Sequence, residues 1–243
     1  MPTATQSIRE IVAATPSAAA VLERFEIDLC RQADSELERV CAELQLSVDQ
    51  VLEKLADAGL RASGASAPDL EDYSLTRLIQ HIVRVHHQTV RQELPRFAAL
   101  SQKIAGKHGG DAPQFITLAS LIEQLHAEMF AHLEKEEQML FPYIVRLEEA
   151  AQDRTPAPHA CFRSVAQPVS MMMQEHDAAE GLVAQMRQVT SGFTPPEWAC
   201  PRNMGFHAAL AAFEADLRQH VHLENDLLFP RAIALEEIFM RAI

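Results

Sequence analysis

Glycine is scarce in this chain, at 8 of 243 residues, while alanine, leucine and glutamate are plentiful. That balance disfavours sheet-and-turn architectures and favours helix. No apolar run approaches the ~20 residues that span a bilayer. The first ten residues are polar and lack the apolar centre of a signal peptide. Basic residues are outnumbered, 21 Lys and Arg against 34 Asp and Glu, for a formal net charge of −13. An acidic surface excludes nucleic acid and anionic membrane as expected partners, so the expectation is a soluble, cytoplasmic protein. Only four cysteines occur, at positions 30, 41, 161 and 200, with no C-x-x-C. This excludes a thiolate metal site or a disulfide framework, and all four are expected to be reduced and mostly buried.

What is present is apolar material in helical periods. Hydrophobic residues make up 48% of the chain, enough for a substantial core. Four short helices are predicted in residues 1–57. Ser7-x-x-Glu10 reads as a capping box, Thr15-Pro16 as the start of a helix over 17–25, a third helix covers 35–44, and Ser47-x-x-Gln50 opens a fourth over 48–56. Residues 58–72 hold Gly59, Ser63, Gly64, Ser66 and Pro68 without a hydrophobic period and are predicted as a linker. Residues 73–243 hold four long amphipathic patterns, over 74–104, 115–150, 164–191 and 203 to the C-terminus. The fold class is therefore all-α: an antiparallel four-helix bundle preceded by a small helical domain. Pro95, Pro142 and Pro230 fall inside the long helices and are expected to kink them.

Two stretches within this pattern repeat. His132-Leu133-Glu134-Lys135-Glu136 and His220-Val221-His222-Leu223-Glu224 lie 88 positions apart, and each runs on to a Phe-Pro pair, Phe141-Pro142 and Phe229-Pro230. Residues i and i+4 share a helix face, so each copy aims an imidazole and a carboxylate at one point. His87 and His176, 89 positions apart, complete the set, giving the order His, His-x-x-x-Glu, His, His-x-x-x-Glu. A duplicated helix pair would produce this order and a pseudo-two-fold bundle.

The flanking residues suggest that these groups point inward. Leu125, Met129 and Met139 surround His132. Phe213, Leu217 and Leu227 hold the same offsets around His220. Val169, Met172, Met173 and Val183 surround His176. On the first long helix His87 aligns with Val83, Val90 and Leu94, and is preferred to its neighbour His86. His81, His126 and His222 are read as non-ligands. Two carboxylates buried without partners would cost several kcal/mol each; cations remove that cost. Four nitrogens and two carboxylates suit two metal ions, each histidine pair on one ion and both glutamates bridging, with Fe, Mn and Zn all compatible and iron favoured. Glu128 and Asp216, four residues before His132 and His220, are candidates to accept from those rings, and Glu175 and Asp177 to relay protons beside His176.

The stretches Glu136-Glu137-Gln138-Met139-Leu140-Phe141-Pro142 and Leu223-Glu224-Asn225-Asp226-Leu227-Leu228-Phe229-Pro230, with Glu175-His176-Asp177 and His87, resemble the hemerythrin-like domain of the repair-of-iron-centres (YtfE- or ScdA-like) family. Residues from Ser7-Ile8-Arg9-Glu10 through Asp28-Leu29-Cys30 resemble the family's small N-terminal domain. The resemblance implies a ligand set of His87, His132, Glu136, His176, His220 and Glu224. It also implies a non-haem di-iron centre with a bridging oxygen. The implied role is protection or repair of iron–sulfur clusters damaged by nitric oxide or oxidants, by binding nitric oxide or donating iron. Expected partners are nitric oxide or O2 and damaged iron–sulfur proteins, with a homodimer left open. The alternative is a nitric oxide or O2 sink or sensor without repair activity; an iron store would need more ligands. Whether nitric oxide is reduced at the centre is left open. The family's Cys-Cys-Gly-Gly run is replaced here by Cys30-Arg31-Gln32-Ala33, which leaves Cys30 as a candidate buried thiol.

Overall fold

In the computed structural model, which describes residues 2–62, 70–159 and 161–241, the first turn of chain forms as its sequence directs. The Ser7 hydroxyl accepts from the Glu10 amide while the Glu10 carboxylate accepts from the Ser7 amide, closing a capping box on α1 (Ile8–Ala14). Next come α2 (Ala18–Arg24), α3 (Leu37–Glu43) and α4 (Val48–Ala62). Ser47 caps α4 through the Gln50 amide. Two expectations need correction. Thr15 closes α1 instead of opening α2, which starts at Ala18 without a side-chain cap. Helix α4 continues through Gly59 to Ala62, so the stretch expected to be a linker from 58 begins as helix. The rest of that stretch as far as residue 69 lies outside the described residues.

Four long helical runs follow. The first is α5 (Leu75–Ile82), π1 (Val83–His87) and α6 (Gln88–His108). The second is α7 (Gln114–Lys135), π2 (Glu136–Leu140) and α8 (Phe141–Asp153). The third is α9 (Ala166–Val189). The fourth is α10 (Pro201–His222), π3 (Leu223–Leu228) and α11 (Phe229–Arg241). Together they make the all-α, antiparallel four-helix architecture expected. Among the described residues the β-type pairing is a single isolated bridge between Ser7 and Glu36.

The chain divides into two compact units, Met1–Pro68 with Thr190–Ala212, and Asp69–Val189 with Phe213–Ile243. The first unit is cored by Ile8, Ile11, Leu22, Ile27, Leu29, Leu37 and Val40, against which Met204 of α10 packs. Gly205 makes that packing possible: a Cβ there would stand 2.2 Å from the Ala19 Cβ. The same unit holds a disulfide between Cys30 and Cys200, 170 positions apart. This corrects the expectation of four reduced and mostly buried thiols. Cys41 is free and buried, and Cys161 is free but exposed. No spacing rule connects residues so distant, so local sequence carried no sign of the pairing.

The second unit is cored by Leu78, Ile82, Leu140, Phe141, Ile144, Leu147, Val169, Leu223, Leu228 and Phe229. Carboxylates 88 positions apart anchor its helix starts. Glu148 of α8 accepts from the Leu75 and Thr76 amides at 2.8 and 2.9 Å, satisfying the first turn of α5. Glu236 of α11 accepts from the Val165 amide, the Ser164 hydroxyl and the Tyr143 hydroxyl at 2.6–3.0 Å, just before α9. Burial, then its bond to Glu236, holds the Tyr143 phenol above its usual pKa. Glu236→Ala would leave buried donors at Tyr143 and Val165 unpaired. The expected loss is about 3 kcal/mol, or roughly 6–12 °C in melting temperature, measured by thermal unfolding.

The π segments were not anticipated, and two have a local cause. Pro142 and Pro230 follow π2 and π3 closely, and each lacks the amide that would return to the carbonyl four residues earlier, at Gln138 and Asp226. The helix widens there and runs on. The wider turn shifts the register by one residue. Met139, seven beyond His132, is 48% exposed, while Leu140 is 1% exposed. Leu227 is half-buried and Leu228 fully buried. Met173, expected on the inner face of α9, is also exposed. Near π1, the Thr89 hydroxyl donates to the Val85 carbonyl at 2.8 Å, and His86 and His87 are both buried.

A candidate metal centre inside the bundle

Each of the three π segments delivers one of the candidate ligands, His87 at the end of π1, Glu136 at the start of π2 and Glu224 in π3. His132 and His220 lie one turn earlier on α7 and α10, and His176 sits mid-way along α9. All six side chains are 2% exposed or less.

They converge as two quartets, His87, Glu136, His220, Glu224 and His132, Glu136, His176, Glu224. Within each, the nearest nitrogen and oxygen atoms lie within 4.8 Å of one another. The glutamates belong to both. Glu224 turns Oε1 to Nε2 of His220 at 2.9 Å and of His87 at 3.6 Å, and Oε2 to Nε2 of His176 at 3.0 Å. Glu136 Oε2 stands 3.4 Å from Nε2 of both His87 and His132. The Nε2 atoms of His132 and His176 are 3.0 Å apart.

The outward nitrogens of His87, His132 and His176 are held from neighbouring helices, while Nδ1 of His220 is buried without a hydrogen-bond partner. Nδ1 of His87 donates to Glu137 at 2.7 Å, and Glu137 also accepts from Arg91 at 2.6 Å. Nδ1 of His132 donates to Glu175 at 2.9 Å, and Glu175 is paired with Lys135. Nδ1 of His176 donates to the Asn225 side-chain oxygen at 2.9 Å. A carboxylate only accepts, so these bonds place the proton on Nδ1 and aim the Nε2 lone pair inward. Phe141 stacks on His87 and Phe229 on His176, at ring separations of 5.6 and 6.2 Å. The two Phe-Pro pairs thus widen the helix and wall the cluster off from water.

Several supporting roles differ from expectation. Glu128 is exposed and accepts from Gln124, not from His132. Asp216 accepts from His86 Nδ1 at 3.0 Å, not from His220. Asp177 is exposed. Glu175 serves His132 on the opposite helix, although it adjoins His176. Sequence reasoning missed Glu137 and Asn225. The available signal was their position, each directly after a repeated glutamate. His86, set aside as the outward neighbour, is buried and stacks on His220 at 5.6 Å.

Burial and mutual charge divide the cluster electrically. Burial pushes the Glu136 carboxyl up, and the Glu224 charge adds to it, to about 8. Burial opposes charge on Glu224 as well. The charge of His220 and the close approach of His176, His220 and His87 overcome it, holding Glu224 well below the usual carboxylate range. For His87, burial is outweighed by Glu136 and Glu224, which raise it to about 10. His176 is raised against burial by Glu224. Burial lowers His132 to about 4, with the charge of His176 adding to it, and burial lowers His220.

The donor set fits a pair of cations. Neither oxygen of Glu136 has a hydrogen-bond partner, nor has Nε2 of His87, though all are fully buried. A buried carboxylate left that way costs several kcal/mol. A helical bundle with four inward imidazoles and two shared inward carboxylates is the architecture of a cation-binding bundle. The Hemerythrin HHE cation binding domain matches residues 78–232, and ScdA_N, a domain of unknown function (DUF542), matches residues 4–59. The iron-sulfur cluster repair protein YtfE of Yersinia pseudotuberculosis (strain PB1/+) is 30% identical over 228 residues, covering 94% of this chain and 96% of its own. That of Pectobacterium atrosepticum is 31% identical over 231 residues, covering 94% and 96%. That of Enterobacter sp. (strain 638) is 31% identical, covering 95% and 98%. The chain belongs to the YtfE family of hemerythrin-type iron-sulfur cluster repair proteins.

Proposed function

We propose that this chain repairs iron–sulfur clusters damaged by nitric oxide or oxidants, using two iron ions held in the bundle. The observation that carries this reading is the sharing of Glu136 and Glu224 by two quartets. His87 and His220 would hold one ion, His132 and His176 the other, with both glutamates bridging. When bound, the iron pair supplies redox equivalents, open positions for nitric oxide or O2, and iron for transfer. The chain's own residues do the rest. Glu137, Glu175 and Asn225 keep a proton on Nδ1 of His87, His132 and His176, so that Nε2 of each faces the centre. Phe141 and Phe229 exclude water. The similarity to iron-sulfur cluster repair proteins favours repair over a simple gas sink.

No helix among the described residues is long and apolar enough to cross a membrane. A cytoplasmic location is part of the proposal. So is a homodimer, which light scattering separates from a monomer.

Loading should be coupled to protons. In the metal-free chain His87 carries charge at pH 7 and Glu136 holds its proton, while Glu224 raises His176. Metal requires neutral imidazoles and ionised carboxylates, so loading at pH 7 should release about two protons per chain, from His87 and Glu136. Affinity should therefore rise with pH up to about 10, more steeply below about 8 than above it. Titration calorimetry in buffers of different ionisation enthalpy measures this, and release of none would contradict the assigned protonation states.

The functional test adds reduced, iron-loaded protein to a cluster enzyme inactivated by nitric oxide. Recovery of activity with the wild-type chain, and none with Glu224→Ala, is the expected result. Nitric oxide uptake without recovery would replace repair with a sink.

A further inference from the structure

The Cys30–Cys200 pair lies outside the His/Glu cluster, and nothing in the cluster's chemistry calls for it. The two sulfurs are brought together by packing within one unit. Cys30 follows a turn in which the Asp28 carboxylate accepts from the Cys30 and Arg31 amides at 3.1 and 3.3 Å. Cys200 stands just before α10, and its carbonyl accepts from the Met204 amide at 3.0 Å. Arg202 fastens the two sides, pairing with Glu23 at 2.9 Å and reaching Asp28 at 3.9 Å. Arg9 donates to the Ala199 carbonyl at 3.3 Å. The Cα atoms of the two cysteines are 5.2 Å apart, inside the usual span for a bridged pair.

The environments of the two thiols differ. Cys200 sits at the N-terminus of a 22-residue helix with Arg202 two residues on, a setting that favours thiolate. Cys30 lies beside the acidic Asp28, which disfavours thiolate. Both are half-buried. Cys41 is buried, and burial raises its thiol. Cys161 is exposed and free.

We propose that Cys30 and Cys200 form a reversible thiol–disulfide site whose oxidant is a low-molecular-weight disulfide of the glutathione type. The Cys200 thiolate attacks one sulfur of glutathione disulfide. A Cys200–glutathione bond forms, and one glutathione thiolate leaves. Cys30 then loses its proton and attacks the Cys200 sulfur, releasing the second glutathione. Two protein thiols are oxidised, one glutathione disulfide is reduced to two thiols, and the two protein protons end on the two glutathiones. Excess reduced glutathione runs the exchange backwards. The site is independent of the iron reading, because its readout is thiol count.

The test uses the full iron-loaded chain carrying Cys161→Ser, which removes the exposed thiol, first reduced so that the Cys30–Cys200 bond is open. After incubation with glutathione disulfide, the protein is acid-quenched, denatured and alkylated. Three labels before oxidation should fall to one, at Cys41, with Cys30 and Cys200 recovered in one cross-linked peptide. Reduced glutathione should restore all three. Adding Cys30→Ser should stop the reaction at a glutathione adduct on Cys200. Adding Cys200→Ser instead should slow adduct formation on Cys30 by about tenfold relative to that step. Persistence of both thiols under oxidant overturns the proposal, as does a bond that reduced glutathione does not open in the folded chain. Faster adduct formation at Cys30 than at Cys200 overturns the assigned order of attack.

Discussion

Glu224→Ala is expected to strip the chain of iron altogether, from about two ions to near zero, whereas His220→Ala should leave about one. The difference follows from which oxygens face which rings. Glu224 presents one oxygen to His87 and His220 and the other to His176, so its loss removes a donor from both quartets. His220 belongs to only one. Glu136→Ala should resemble Glu224→Ala, because Glu136 Oε2 faces one histidine of each quartet. Iron analysis of the purified variants, with circular dichroism to show that they remain folded, measures the contrast. Equal losses in the glutamate and histidine variants would mean that the carboxylates are not shared.

In the metal-free protein the two glutamates should part company. At pH 7 Glu224 is ionised and is a counter-charge for His87, while Glu136, at about 8, holds its proton. Glu224→Gln leaves the buried His87 cation without that counter-charge and should destabilise the metal-free chain by about 3–5 kcal/mol. Glu136→Gln should do the reverse. A carboxyl whose folded pKa lies above its unfolded value binds more protons in the native state, so its contribution falls as pH rises from about 4.5 towards 8. A neutral amide removes that slope and should stabilise the metal-free chain by about 1–3 kcal/mol at pH 7, with the gain vanishing near pH 4. Denaturant unfolding after chelation, at both pH values, checks sign and window together. Two losses of equal size would contradict the division of charge.

The six inward residues were legible because the order His, His-x-x-x-Glu recurs at offsets of 88 and 89 positions, and because His-x-x-x-Glu fixes a shared helix face. The class of fold was legible for a similar reason, since four long amphipathic stretches separated by Pro- and Gly-bearing breaks leave few other packings. What failed was reasoning confined to one helix. Glu128 and Asp216 were expected to serve histidines four residues away on their own helices. Instead, Glu137, Glu175 and Asn225 serve rings across the bundle, and only the assembled helices bring those groups together. The inward roles of Met139 and Leu227 failed because an α-helical period was carried through segments that Pro142 and Pro230 widen. The Cys30–Cys200 bond was invisible because 170 positions of chain separate its halves.

The most direct test is anomalous diffraction at the iron edge on crystals of the purified chain. Two peaks about 3.5–4 Å apart are expected inside the bundle. One should lie nearest Nε2 of His87 and His220, the other nearest Nε2 of His132 and His176, with the Glu136 and Glu224 side chains between them. A single peak, or iron away from these six side chains, would contradict the shared two-ion centre.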